Sequence, residues 1–167
     1  MEGLKRVSHD FDVVGAYDNP KSPYFYTPFD AKALEMFQTG SVAVVYIGHG
    51  SADWTEGLTL ADSRTMRCEN RLPLSVFFAC TNGRYLGPDD SIAEALLWNP
   101  EGPIATIASS DLSHPYGNAV ISYEAMRAVL DLRPETMGEA FLLARRAVVE
   151  NDDDFRRYVD AMALAQV

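Results

Sequence analysis

Two short apolar runs, each ending on a reactive side chain, constrain this chain more than anything else in it. Val42-Ala43-Val44-Val45-Tyr46-Ile47 leads into Gly48-His49-Gly50-Ser51, and Pro73-Leu74-Ser75-Val76-Phe77-Phe78 leads into Ala79-Cys80-Thr81-Asn82. Both runs are rich in β-branched and aromatic residues and show no helical spacing, so they read as buried strands of an α/β sheet. Open α/β sheets place their ligand crevice beyond the carboxyl ends of the strands. His49 and Cys80 stand at those ends. Neighbouring strands lie roughly 5 Å apart, so two residues distant in sequence come within reach of each other. A cysteine beside a histidine is a candidate activated nucleophile.

The rest of the chain supplies the elements such a sheet needs. Phe11–Ala16 reads as a first strand, followed by an aromatic loop with Tyr17, Tyr24, Phe25, Tyr26 and Phe29. Asp30 is placed to cap a helix running to about Thr39, with Leu34 and Phe37 on its buried side and Gly40 as its stop. The stretch from Ser51 to Leu72 carries two strand fragments and reads as a loop or hairpin at the site. Trp54 there serves either as an anchor that packs the loop or as a hold on substrate. Ser91 and Glu94 form a capping box for a helix with Ile92, Ala95 and Leu96 as its apolar stripe, ended by Asn99-Pro100. Ile104–Ala108 is the next strand, and its exit, Ser109 to Gly117, is expected on the same edge as His49 and Cys80. Helices follow over about Asn118–Leu130 and Thr136–Glu150, the second with Met137, Ala140, Phe141, Ala144 and Val148 on its core face. A final helix is expected over Phe155–Leu164, after a capping turn at Asn151-Asp152-Asp153-Asp154.

Composition excludes several classes of function. The chain has 167 residues, enough for one domain with a sizeable core. Lys plus Arg number 14 against 24 Asp plus Glu, a formal net charge of −10. Phosphate backbones demand clustered positive charge, so no nucleic-acid partner is expected. No apolar stretch approaches the roughly 18 residues of a membrane span, and the amino terminus lacks the apolar core of a signal peptide. With only Cys68 and Cys80 there is no disulfide framework. Cys68 lies among Arg64, Arg67, Glu69 and Arg71, where arginines would favour its thiolate, yet it follows no strand and reads as a bystander. His9, Asp10 and Asp12 do not share one face of an extended start, and the Asn151–Asp154 run lacks the glycine and terminal Glu of a calcium loop. Neither a metal nor any other cofactor is expected.

The ordered blocks carry a resemblance. Tyr46-Ile47-Gly48-His49-Gly50-Ser51, Trp54, Ala79-Cys80 with Gly83-Arg84-Tyr85, Ser91–Leu97, Asn99-Pro100-Glu101-Gly102 and Ile104–Ser110 together resemble the gingipain family of caspase-like cysteine peptidases, over roughly residues 40–150. The resemblance implies an endopeptidase acting on a polypeptide substrate, with Cys80 as nucleophile and His49 as base. It also implies an oxyanion hole from the backbone amides of Gly50 and Cys80, where a glycine lets backbone approach the scissile carbonyl. Gingipain relatives favour Arg or Lys before the scissile bond, through a carboxylate and an aromatic wall. Ser109, Ser110, Asp111, His114 and Tyr116 lie on the matching exit, and Asp111 is the candidate carboxylate, or else caps the turn that follows. Family members carry a further strand, often a subdomain, ahead of the matched region, whereas about forty residues precede the His-bearing strand here. An upstream domain of the parent protein is therefore an expected partner. The resemblance places the protein outside the cytoplasm if its parent is secreted as its relatives are.

The expected fold is a three-layer α/β/α sandwich around a mostly parallel, caspase-like sheet of four or more strands, with residues 1–167 forming one peptidase domain, as part of a longer protein or alone. The expected function is peptide-bond hydrolysis by a Cys–His dyad. A rival enzyme would use Ser109 or Ser110 with Asp111 and His114, but the Gly-x-Ser-x-Gly elbow is missing. The alternative outside enzymology is a peptidase-like scaffold that binds peptide or another domain without cutting it.

Overall fold

Parallel pairing of the two apolar runs forms the centre of the structure, a computed structural model that describes residues 10–69 and 71–151. Strand β1 is Ala43–Ile47, and β4, Leu74–Phe78, pairs with it in parallel from Ala43 opposite Leu74 to Ile47 opposite Phe78. Strand β5, Ala105–Ala108, adds to the other side of β4 with Leu74 opposite Ala105, so the sheet order is β1-β4-β5. Every residue of β4 is buried. Burial on both faces is what a continuous Leu-Ser-Val-Phe-Phe run requires of a middle strand. Its one polar member, Ser75, is satisfied by the carbonyl of Ala105 and the hydroxyl of Thr106.

The connections are short and locally encoded. Helix α1, Phe29–Gln38, buries Phe37 and rests Leu34 on the core as its spacing predicts. Its cap differs from expectation: Pro28 holds the N-cap position, and Asp30 lies in the first turn with its carboxylate on the amide of Ala31. Gly40, at a φ of 79°, makes the left-handed exit that a side chain would strain. A two-stranded hairpin follows β1, with β2 at Trp54–Thr55 antiparallel to β3 at Leu58–Thr59. The sequence reading missed helix α2, Leu60–Thr65, which begins on a capping box between Thr59 and Asp62. Aspartate replaced the usual Glu or Gln in that box, which hid the start signal. Helix α3, Ile92–Trp98, begins on the expected Ser91–Glu94 box, buries Ile92, Ala95 and Leu96, and ends at Asn99.

Residues Gly15–Pro115 form one compact unit. Its core is built on one face of the sheet, where Phe37, Leu58, Met66, Cys68, Ile92 and Leu96 close over Val44 and Phe77, with Leu34, Tyr46 and Ala108 packed against them. Phe37 and Phe77 stack with ring centroids 6.3 Å apart. The described residues of the second unit are 10–14 and 116–151. It holds most of helix α4, Pro115–Arg127, a π-helical turn over Ala128–Leu132, and helix α5, Met137–Asn151. Helix α5 buries Ala140, Ala144, Ala147 and Val148 and packs on the π turn, with Thr136 accepting from the amide of Glu139 at its start.

Three expectations are corrected. Phe11–Ala16 makes no ladder among the described residues; the nearest pairing is an isolated bridge from Tyr17 to Phe25. Exposure alternates along 11–14 as it would in a half-buried strand, but no described strand pairs with the segment, and the described sheet has three strands rather than four or more. Helix α4 starts at Pro115 rather than Asn118, because proline suits the first turn of a helix. Its pattern then passes into the π turn, which closes when the Arg133 amide donates to Ala128 and Arg133 turns left-handed at a φ of 46°. The expected helix over Phe155–Leu164, Asp152 to Asp154 and His9 lie outside the described residues. Asp10 pairs with Arg133 at 2.6 Å.

Candidate active site at the carboxyl edge of the sheet

Register alone brings the two reactive residues to one edge. Ile47 and Phe78 are the last paired residues of β1 and β4, and the amide of Gly48 still reaches the carbonyl of Phe78 at 3.5 Å. His49 and Cys80 each follow by two residues, so they leave adjacent strands at equivalent positions. Such strands run about 4.8 Å apart. His49 is exposed and Cys80 half-buried, an accessible thiol beside an accessible imidazole-bearing loop.

The backbone after β4 turns at once. Thr81, with a φ of 55°, occupies the left-handed region that a β-branched residue disfavours. Its amide donates to the carbonyl of Asp111, and the amide of Gly83 to that of Ser109, which splices the Cys80 loop onto the exit of β5. The Cys80 sulfur thereby comes to rest on Ser113, whose amide donates to it at 3.4 Å; the Ser113 carbonyl is 3.5 Å away and the Ser113 hydroxyl 3.6 Å.

Asn82 joins this loop to the His49 loop. It is wholly buried, and its side-chain amide donates to the carbonyls of Ser51 at 2.5 Å and Trp54 at 3.3 Å. Its own carbonyl accepts from the amide of Ala93, which adds the first turn of α3 to the same knot. Gly50 lies directly over it: a Cβ there would come within 2.6 Å of Asn82 Oδ1 and 3.1 Å of the Ala79 methyl. Glycine is thus required at this position by packing, independently of any need for close approach to a substrate. On the other side of the loop, the Tyr46 hydroxyl lies 2.7 Å from the His49 carbonyl and 3.0 Å from a Glu56 carboxylate oxygen. Burial pushes the Tyr46 phenol well above its ordinary range, with the Glu56 carboxylate adding to the effect.

The remaining residues singled out in the sequence differ in their exposure and contacts. Trp54 presents an exposed side chain on β2 while its carbonyl accepts from Ser51 and Asn82. Ser109 is half-buried, and Ser110, Asp111 and His114 are exposed. The Asp111 carboxylate accepts from the amide of the next residue, Leu112, at 2.7 Å. Tyr116 is exposed on α4, at the start of the second unit. Cys68 is fully buried in the core 3.9 Å from the Met66 sulfur, and desolvation pushes its thiol up rather than down. The neighbouring arginines do not act on it: Arg67 pairs with Glu101 and Arg64 with Asp90 at the surface. The sequence reading missed Tyr46, Asn82 and Ser113; only the polarity of Asn82, two residues past Cys80, hinted at a role.

Comparison with known proteins agrees with this architecture. The family model described as peptidase family C25 matches residues 6–165. Among solved structures, the complex of the pro- and mature domains of Porphyromonas gingivalis RgpB superposes with a TM-score of 0.67 at 24% identity, covering 78% of this chain and 34% of that one. The Arg specific cysteine proteinase gingipain R (RgpB) superposes with a TM-score of 0.68 at 25% identity, over 78% of this chain and 33% of that one. The chain therefore spans about a third of the length of these structures. No curated protein matches the sequence.

Proposed function

The chain belongs to peptidase family C25 and has the caspase-like α/β fold of the gingipains, and from that premise we propose that it hydrolyses peptide bonds through Cys80 and His49. The observation that carries the reading is the register of β1 and β4, which delivers both residues to one edge of the sheet at equivalent positions. His49 takes the thiol proton as Cys80 sulfur bonds to the scissile carbonyl carbon, and the carbonyl electron pair moves onto oxygen. The amides of Gly50 and Cys80 meet that oxyanion. The carbonyl reforms, the carbon–nitrogen bond breaks and His49 returns the proton to the departing amine. Water then cleaves the thioester by the reverse sequence of proton transfers.

One matched structure is described as Arg specific. By extension, the substrate here carries Arg or Lys before the scissile bond, with Asp111 as its carboxylate partner and Trp54, Ser109, Ser110 and His114 bordering the substrate. The exposed acid supports this reading only if substrate covers it, since a charge-assisted pair gains strength when desolvated. Residues 1–167 act in this reading as one peptidase domain, with an upstream domain of the parent protein as neighbour.

A peptide acyloxymethyl ketone ending in arginine tests the central claim. It is expected to label the chain covalently at Cys80, with labelling lost in Cys80→Ala, greatly slowed in His49→Ala and retained in Cys68→Ala. Labelling that survives Cys80→Ala would overturn the assignment. An unlabelled, folded chain would instead favour the peptide-binding scaffold.

A further inference from the structure

We propose that Ser113 is a further catalytic residue of this site, holding the Cys80 sulfur in place and supplying the hydrogen bonds its thiolate needs. The inference rests on the reading of Cys80 as nucleophile. It is carried by three contacts that converge on one atom: the Ser113 amide at 3.4 Å, its carbonyl at 3.5 Å and its hydroxyl at 3.6 Å from Cys80 sulfur. All three fall within the range of hydrogen bonds to sulfur, and they come from a residue thirty-three positions away, on the exit of β5. Two further bonds, Thr81 to Asp111 and Gly83 to Ser109, hold that exit against the nucleophile's loop, so the contact is built into the backbone.

The chemistry follows from what a thiol and a thiolate can each accept. A neutral thiol donates its hydrogen to the Ser113 carbonyl and receives the Ser113 N–H. Once the proton has passed to His49, sulfur is an acceptor only. The N–H bond persists, and the Ser113 hydroxyl turns its hydrogen toward the charge. Hydrogen bonds offered to the charged form favour that form, and the thiolate is the attacking species. One residue thus parks the resting thiol and supports the reactive one, and neither role needs a side-chain cation near the sulfur. The hydroxyl contribution can be removed by mutation, whereas the amide contribution stays with the backbone.

The test follows alkylation of Cys80 by iodoacetamide in a Cys68→Ala background, so that one thiol remains and the readout does not depend on peptide hydrolysis. Ser113→Ala is expected to slow alkylation near neutral pH about three- to tenfold, the worth of one ordinary hydrogen bond. Ser113→Thr, which keeps the hydroxyl, should restore the rate to within about twofold. Thermal unfolding of both variants confirms the fold, and the half-buried loop position of Ser113 favours their folding. An unchanged rate in Ser113→Ala would overturn the proposal, as would a Thr variant as slow as Ala, because packing rather than the hydroxyl would then be responsible. If alkylation responds as expected while peptides go uncut, Ser113 still supports the Cys80 thiolate, but the peptidase reading fails and the catalytic role fails with it.

Discussion

The buried side-chain amide of Asn82 donates to the carbonyl of Ser51 at 2.5 Å, tying the loop that follows Cys80 to the loop that follows His49. Two strands set side by side fix only where those loops begin. Their course beyond the last rung depends on this cross-link and on the second bond to Trp54. Asn82 Oδ1 is the one buried side-chain oxygen or nitrogen without a hydrogen-bond partner among the described residues, so the amide spends its donors on the knot at some cost.

Asn82→Ala is therefore expected to lower stability by about 1–3 kcal/mol, because the Ser51 and Trp54 carbonyls lose a donor. Turnover should fall further than the folded fraction does. Asn82→Asp should be worse at neutral pH, since it buries a charge facing two carbonyls, and should recover as pH falls and that carboxylate takes a proton. Urea midpoints at two pH values, alongside rates on the folded fraction, check both statements; an Asn82→Ala variant as stable as the native protein would refute the first, and an Asn82→Asp variant no less stable than Asn82→Ala at neutral pH the second.

Alkaline titration is expected to destabilise the domain through a buried thiol and a half-buried phenol. The thiol of Cys68 and the phenol of Tyr46 are both pushed up by burial, so the folded state holds their protons longer than the unfolded chain. Their contribution is fully present below the ordinary ionisation range and is lost as pH rises through it, beginning near about pH 9 for the thiol and about pH 10 for the phenol. Cys68→Ala should flatten the first part of the stability decline and Tyr46→Phe the second. Tyr46→Phe should also slow turnover, because the hydroxyl that holds the His49 carbonyl is gone. Denaturant melts from pH 7 to 11 measure the slopes.

Thr81 carries strain next to the nucleophile, with a β-branched side chain at a φ of 55°. Replacing it by Asn, which tolerates the left-handed region, is expected to stabilise the protein by about 1 kcal/mol. A shift of the thermal midpoint by a few degrees upward confirms it; a downward shift shows that the threonine side chain contributes more than its backbone costs.

The choice of basic substrates is tested by a peptide library. Asp111→Asn should reduce cleavage after Arg and Lys by at least about tenfold relative to cleavage after neutral residues, since the surviving amide cannot pair a guanidinium. Cleavage that keeps its basic preference would leave Asp111 with only its local bond to the amide of Leu112.

Local signals in the chain were sufficient for the elements that position the site. The runs ending at Ile47 and Phe78, the Ser91–Glu94 box and the glycine stop at Gly40 each act within a few residues, and each appears where its pattern predicts. The helix at Leu60–Thr65 escaped because it is short and its box uses Asp62. Phe11–Ala16 misled because alternation suggests a strand only when a neighbour is present to pair with it.

What the sequence determined by itself is the pair of strands and the residues at their ends, because burial of an unbroken apolar run and the chemistry of a cysteine and a histidine are properties of the residues alone. Tertiary structure decided the rest: that Cys80 rests on Ser113, that Asn82 holds Ser51, that Tyr46 reaches His49, and that Cys68 is sealed in the core. These contacts, apart from that of Tyr46, join residues about thirty positions apart or follow from burial, and hydrogen bonds of about 3 Å depend on how three loops settle beyond a sheet edge. No periodicity or local propensity records that outcome, since it exists only once the strands have paired.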